Sequence, residues 1–220
     1  MQIQSWAVWV SVGIGGEVTR VSGVATEPRP AASLILLRRG GKHQERGVEI
    51  LLVRRSTEAS FMPGVWVFPG GGVDAGDAGD EEAAHKACAV RELNEEAGIE
   101  LPPDSELIAW SRWITPEPAP VRFDTRFYVT LAPPHSPPRP DGEETTEASW
   151  IAPGEALERH RAGELQLVFP TIKHLESLLP FSTSEEVLAA AREQVVEPIL
   201  PKVVGDGDER RVVLPGEPGY

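Results

Sequence analysis

The segment Arg91-Glu-Leu-Asn-Glu-Glu-Ala-Gly-Ile99 narrows the choice of fold more than any other part of this chain. From Asp80 to Ala97, the apolar residues Ala83, Ala87, Val90 and Leu93 recur at three- and four-residue steps, which predicts a helix. Asp80 is placed to cap its start and Gly98 to end it. Helical geometry then sets Glu92, Glu95 and Glu96 at i, i+3 and i+4, on one face. The ordinary reading of such a run is a solvated acidic face. Here, however, carboxylates near the helix C-terminus oppose the dipole, and the Glu92/Glu96 pair adds repulsion of roughly 0.2–0.5 kcal/mol. A cation bound across that face removes both penalties. Hard oxygen ligands favour Mg²⁺ or Mn²⁺, and the five histidines have no ligand-like spacing, so zinc is disfavoured. Carboxylate-bound Mg²⁺ characteristically engages substrate phosphates, so the chemistry implied is attack on phosphorus.

Around this helix the pattern alternates between strands and helices. Ala31 to Arg38 and Val48 to Arg54 are apolar runs separated by a polar loop, Arg39 to Gly47, and read as strands. Val65 to Phe68 is a third, framed by Pro63-Gly64 and Pro69-Gly70. Leu107 to Thr115, Phe123 to Leu131 and Ser149 to Ile151 complete the expected strands; Pro153 to Arg161, Thr171 to Leu179 and Ser184 to Gln194 read as further helices. The expectation is an α/β (α+β) chain organised as an N-terminal extension over 1–28, one catalytic-sized domain over 29–180, and a C-terminal helix and tail over 181–220.

Charge and cysteine content exclude several function classes. With 21 Lys+Arg against 34 Asp+Glu, the formal charge of −13 argues against a protein that holds a nucleic-acid backbone. The single cysteine, Cys88, rules out an internal disulfide framework and fits a reducing compartment, with the cytoplasm as the default expectation. The apolar stretch Trp6 to Ile14 is interrupted and lacks a basic flank, and the chain ends Pro218-Gly219-Tyr220, so no membrane span, signal peptide or peroxisomal tripeptide is expected. A homodimer is compatible with the sequence.

The Arg91–Ile99 segment resembles the second half of the Nudix box, G-x5-E-x7-R-E-U-x-E-E-x-G-U with U aliphatic, and matches every element of it. A chance match somewhere in the chain is on the order of 10⁻⁵. Counting forward from Phe68-Pro-Gly-Gly71 puts Gly71 in the glycine place and Asp77 in the acid place. Thirteen residues then precede Arg91 rather than seven, so six, around Ala78 to Ala84, are inserted. The resemblance implies a Nudix fold, a mixed β-sheet sandwiched between helices, with extra C-terminal helices. It implies Glu95 and Glu96 as metal ligands, Glu92 as a further ligand or general base, Gly71 as a carbonyl donor to metal, and Arg91 as the residue that orients the glutamates. A downstream glutamate completes such sites; Glu144 is preferred over Glu147.

A second pattern, Leu51-Leu-Val-Arg-Arg55-Ser56 with Gly64 and Phe68-Pro-Gly-Gly71, is similar to the signature of coenzyme A diphosphatases, LLTxR[SA]x3Rx3Gx3FPGG. Val53 replaces its threonine and Ser60 its inner arginine. Trp113-Ile-Thr-Pro116, Arg122 to Phe127 and Trp150 resemble the branch of the mammalian peroxisomal enzyme and its bacterial relatives. The implied substrate is a nucleoside diphosphate derivative, with coenzyme A or acyl-coenzyme A first, then ADP-ribose, NADH and oxidised nucleotides. A non-catalytic nucleotide-binding domain is the rival from another class.

Physically, Arg122 and Arg126 lie four apart and would share a strand face, where they could clamp phosphate. Arg54 and Arg55 adjoin and face opposite ways, so at most one, Arg55, serves the site. Trp66 reads as core more readily than as a stacking platform, and Cys88 as a packed side chain rather than a nucleophile.

Overall fold

The computed structural model describes residues 26–39, 47–59, 62–117, 119–205 and 211–220. The apolar stretch Trp6 to Ile14, Ser60 and most of the loop from Arg39 to Gly47 lie outside the described residues. Among the described residues eight strands form one mixed sheet: β1 (Arg29–Arg39), β2 (Val48–Arg55), β3 (Trp66–Val67), β4 (Gly70–Gly72), β5 (Ile108–Ile114), β6 (Phe123–Leu131), β7 (Thr145–Ile151) and β8 (Pro198–Ile199). Helix α1 spans Glu81–Ala97, α2 Pro153–Arg161, α3 Phe169–Leu178 and α4 Ser184–Glu193. A separate hairpin pairs β9 (Lys202–Val204) with β10 (Arg211–Val213).

The apolar runs of β1 and β2 are continuous because both sheet faces are covered. Ala32, Leu34, Leu36, Leu51 and Val53 pack beneath Cys88, Ala89, Leu93 and Ala97 of α1. Their alternates Ile35, Leu37, Ile50 and Leu52 face the opposite layer, with Leu157, Leu175, Leu178, Val187 and Leu188 from α2, α3 and α4. The C-terminal helix α4 therefore belongs to the same core as the preceding domain, and β8 extends the same sheet beside β5.

One irregularity of the sheet makes room for a site. β1 and β2 pair only at one end, Leu37–Arg39 against Val48–Ile50. Further along they separate: β4 takes the edge of β1 at Ala31–Ser33, and β3 takes the edge of β2 at Val53–Arg54. The glycine turn Phe68-Pro-Gly-Gly71 joins these two short strands and lies under α1.

His174 of α3 is fully enclosed among the rings of Phe68, Trp113 and Phe127. Its Nδ1 lies 2.6 Å from the Pro170 carbonyl, which can only accept, so Nδ1 carries the proton and Nε2 accepts from the Ser111 hydroxyl at 2.6 Å. Burial pushes its pKa down to about 4. The unfolded chain thus takes up a proton near pH 6.5 that the folded chain refuses, and stability is lost as pH falls through that range. A loss of about 2 kcal/mol is expected from this residue between pH 7 and pH 5. Urea denaturation at both pH values checks it: the slope is to be present in wild type and reduced in His174→Gln.

Candidate active site

α1 forms as expected and carries Glu92, Glu95 and Glu96, of which Glu92 and Glu96 are buried and Glu95 is exposed. Asp80 accepts from the Ala83 N–H at its start, and Gly98, at φ 61°, ends it in the left-handed conformation. The six inserted residues supply part of the loop and the first turn of α1. Glu81 and Glu82 on that turn are ion-paired with Arg126 of β6.

Three of the glutamates expected at the site line one cavity of about 420 Å³, with Arg55 and Gly70 to Gly72: Glu92, Glu96 and Glu144. The remaining wall is largely apolar, including Met62, Phe68, Trp113, Phe123, Phe127 and Val168. Glu96 is only 2% exposed, and its Oε2 accepts the Gly70 N–H at 2.9 Å. Burial, helped by the neighbouring Glu92 and Glu144, pushes its pKa up to about 8 against the pull of the Gly70 N–H and Arg55. Glu92 is shifted upward too, again mainly by burial, with Arg91 opposing.

Arg91 is the organising cation. Its Nε and Nη2 donate to the two oxygens of Asp77, each at 3.1 Å, and its Nη1 donates to Glu92 and Glu95, each at 2.8 Å. Nη2 also reaches the Gly72 carbonyl at 3.0 Å. The paired guanidinium holds the buried Asp77 carboxyl below the usual carboxylate range. Asp77 thus faces Arg91 across the insertion.

The glycine turn is required by close approach. A side chain at Gly70 would meet the Ala32 carbonyl at 2.5 Å and Ser33 at 2.7 Å, and one at Gly71 would overlap the Glu92 carboxylate. Gly71→Ala is therefore expected to displace Glu92 and lower kcat/KM on the order of 10²-fold with little loss of stability. Steady-state kinetics beside thermal melting separate the two effects.

Glu144 is held by a loop that sequence reasoning missed. Asp141 accepts the N–H groups of Glu143, Glu144 and Thr145 at 3.1, 3.2 and 2.8 Å. The Glu144 carbonyl accepts from the Ser56 N–H at 2.8 Å. The Thr145 hydroxyl donates to the Glu96 carbonyl at 2.6 Å, and the Arg139 N–H to the Ala97 carbonyl at 2.7 Å, so the loop docks on the open C-terminal carbonyls of α1. The available clue was the turn-forming pair Asp141-Gly142 shortly before Glu144.

Other expected residues fall elsewhere. Glu95 is more than half exposed, is turned to Arg91 and is not among the cavity residues. Arg122 and Arg126 do not form a clamp over the cavity: buried Arg122 donates to the Thr115 and Thr26 carbonyls at 2.9 and 2.8 Å, and Arg126 is engaged by Glu81 and Glu82. Their shared strand face was readable, whereas the acidic partners on the inserted turn were not. Glu147 pairs with Arg54 at 2.5 Å, away from the cavity. Trp66 packs against the core. Cys88 donates to the Gly71 and Gly72 carbonyls at 3.5 and 3.3 Å, and burial pushes its thiol up to about 12, which leaves no thiolate for attack.

Glu92, Glu96 and Glu144 are oxygen donors of the kind Mg²⁺ or Mn²⁺ takes, and their mutual repulsion is the penalty such an ion relieves. The donor set therefore fits a hard divalent cation. Among the described residues no three acidic, imidazole or thiol groups are already drawn into a closed cage. Among them, too, no helix is long and apolar enough to cross a membrane.

Comparison with known proteins places this arrangement in a family. Nudix hydrolase 7 of Caenorhabditis elegans is 32% identical over an alignment covering 72% of this chain and 63% of that protein. The chain thus spans under two thirds of that relative's length. Acyl-coenzyme A diphosphatases of Gallus gallus and Homo sapiens are 25% and 23% identical, covering 78% and 79% of this chain and 72% of each relative. The crystal structure of a NUDIX hydrolase from Alicyclobacillus acidocaldarius superposes with a TM-score of 0.65 at 28% identity, covering 76% of this chain and 97% of that one. The NUDIX domain of Shewanella oneidensis NrtR, solved with ADP ribose, shares the fold at a TM-score of 0.52 and 18% identity, covering 70% of this chain and 88% of that one. The NUDIX domain profile matches residues 27–169, and with the mixed sheet, the glycine turn and the acidic helix this makes the chain a member of the NUDIX family.

Proposed function

We propose that the chain is a metal-dependent hydrolase that cleaves the diphosphate of a nucleoside diphosphate derivative, with coenzyme A or an acyl-coenzyme A as the leading substrate. The observation that carries this reading is the convergence of Glu92, Glu96 and Glu144 on one cavity, with Arg91 latching the first of them to Asp77. Glu92, Glu96 and Glu144 would hold Mg²⁺ or Mn²⁺, with the Gly71 carbonyl nearby. Such a cation, when bound, supplies Lewis-acid polarisation of the diphosphate and lowers the pKa of a coordinated water.

The chain's own groups do the rest. Arg91 fixes the Glu92 carboxylate, which serves as a further ligand of that cation or as the base that takes a proton from an attacking water. Glu95 supports this by sharing the Arg91 guanidinium. Arg55, the cation on the cavity wall, is placed for a phosphate oxygen. The largely apolar wall lowers the polarity around these groups and strengthens their electrostatic contacts.

The coenzyme A preference is supported by the Leu51 to Gly71 pattern and by the acyl-coenzyme A diphosphatases among the relatives. Product analysis by mass tests it, with Mg²⁺ or Mn²⁺ and with chelator, against coenzyme A, ADP-ribose, NADH and nucleoside triphosphates. Metal-dependent release of 3′,5′-ADP and 4′-phosphopantetheine is expected. Cleavage of another compound alone would keep the mechanism and overturn the substrate.

A further inference from the structure

β5 and β6 do not pair in simple alternation. Ala109 lies opposite Tyr128 and Ser111 opposite Phe127, so Trp110 is an extra residue that forms a β-bulge. In a regular strand Trp110 and Trp113, three positions apart, would face opposite sides of the sheet. Here both join the core shared with α2, α3 and α4, and the Ser111 hydroxyl reaches Nε2 of His174 on α3 at 2.6 Å. The other ring nitrogen of His174 donates to the Pro170 carbonyl at 2.6 Å. Both nitrogens of this buried imidazole are therefore satisfied, which its burial among aromatic rings requires.

What the imidazole braces is a wall of the cavity. Its ring centre lies 4.1 Å from that of Phe127, 5.7 Å from Trp113 and 5.9 Å from Phe68, the last edge-on. All three rings line the cavity, as do Pro170 and Thr171 in the first turn of α3. Glu92, Glu96 and Glu144 line that same cavity, so a substrate whose diphosphate sits at the carboxylates brings the group attached to it against these rings. Apolar contact alone has no direction and lets such a wall slide. Two short hydrogen bonds, to β5 on one side and to the start of α3 on the other, fix the imidazole's rotation and with it the placement of the rings it touches.

We infer that His174, anchored by Ser111, is a positioning residue for substrate binding: it sets the aromatic wall that receives the group next to the diphosphate. It acts through Phe68, Trp113 and Phe127 rather than on the reacting atoms. The inference rests on the diphosphatase reading and deepens it by assigning a binding role to residues behind the site.

The test compares Ser111→Thr with Ser111→Val, which have nearly the same shape and differ in the hydroxyl. Steady-state kinetics use coenzyme A with Mg²⁺, or ADP-ribose or NADH where wild type cleaves those instead. KM of Ser111→Val is expected to exceed that of Ser111→Thr by roughly 5–10-fold, with kcat equal within about twofold and Mn²⁺ affinity unchanged. His174→Gln, which removes the ring, is expected to raise KM at least as far. Val187→Ala is the control for stability: Val187 is buried in the same core but is not among the cavity residues, so the change should lower the melting temperature and leave KM at the wild-type value. Equal KM values for Ser111→Thr and Ser111→Val overturn the inference, and so does a KM rise in Val187→Ala matching that in Ser111→Val. A loss confined to kcat or to Mn²⁺ affinity overturns it as well, because it would place the effect at the carboxylates, through Phe68 and the glycine turn. Cleavage of none of the three compounds by folded wild type removes the diphosphatase reading and the inference together.

Discussion

Glu96→Gln is expected to lower kcat by about 10³-fold or more while leaving the fold intact. Glutamine keeps an oxygen in the place where Glu96 accepts the Gly70 N–H, so the bond between helix and glycine turn survives. Without a cation the change is also nearly isosteric in charge. With a pKa pushed up to about 8 by burial, Glu96 is mostly protonated at pH 7. The thermal midpoint of the metal-free variant should therefore match wild type, whereas the rise produced by Mg²⁺ or Mn²⁺ should be lost. In wild type the cation must displace that proton, so its affinity is expected to climb as pH rises toward 8. Kinetics and melting with and without cation read all three effects, and wild-type turnover by the variant would remove Glu96 from the site.

Arg91→Ala is expected to be the more damaging change to the protein as a whole. It leaves the buried Asp77 carboxylate without its bidentate partner and Glu92 and Glu95 without the cation between them. Removing one member of a buried pair costs about 3–5 kcal/mol. Arg91 keeps part of its surface in water, with 27% of its side chain exposed, so about 2–3 kcal/mol is a fairer expectation. Activity should fall roughly 10–100-fold beyond what stability explains, because Glu92 loses its orientation. Asp77→Asn isolates the latch: it keeps one acceptor for Arg91 and should cost less on both counts. Chemical denaturation paired with kinetics on the two variants decides this, and equal losses in both would assign the whole effect to the Asp77 contact and none to the hold on Glu92 and Glu95.

The parts of the fold that were legible in the sequence are those whose burial writes a pattern. β1 and β2 lie inside the sheet with both faces covered, which produces long apolar runs, and α1 announces itself through Asp80, Gly98 and its apolar stripe. The N-terminal half of β7 was not legible. Thr145 to Glu147 are polar residues, and their strand character comes from backbone pairing with Arg54 and Arg55. The short strands β8, β9 and β10 have two or three residues each, too few to show any period.

The site divides in the same way. Glu92 and Glu96 follow from helical spacing, and Glu144 from its place before Trp150. The Asp77–Arg91 contact was obscured because the insertion separates the two by 14 positions, and only the fold closes that distance. Arginine partners were the least legible feature. Strand periodicity assigns Arg126 to a face but says nothing of the two glutamates that an inserted helical turn places against it.

The proposed hydrolysis depends on a divalent-cation site formed by Glu92, Glu96 and Glu144. Mn²⁺ titration followed by electron paramagnetic resonance tests it most directly, on wild type and on the Glu92→Gln/Glu96→Gln double variant at pH 8. Wild type is predicted to bind Mn²⁺, with affinity weakened by at least about tenfold in the folded double variant. Equal Mn²⁺ binding by both proteins would contradict the account.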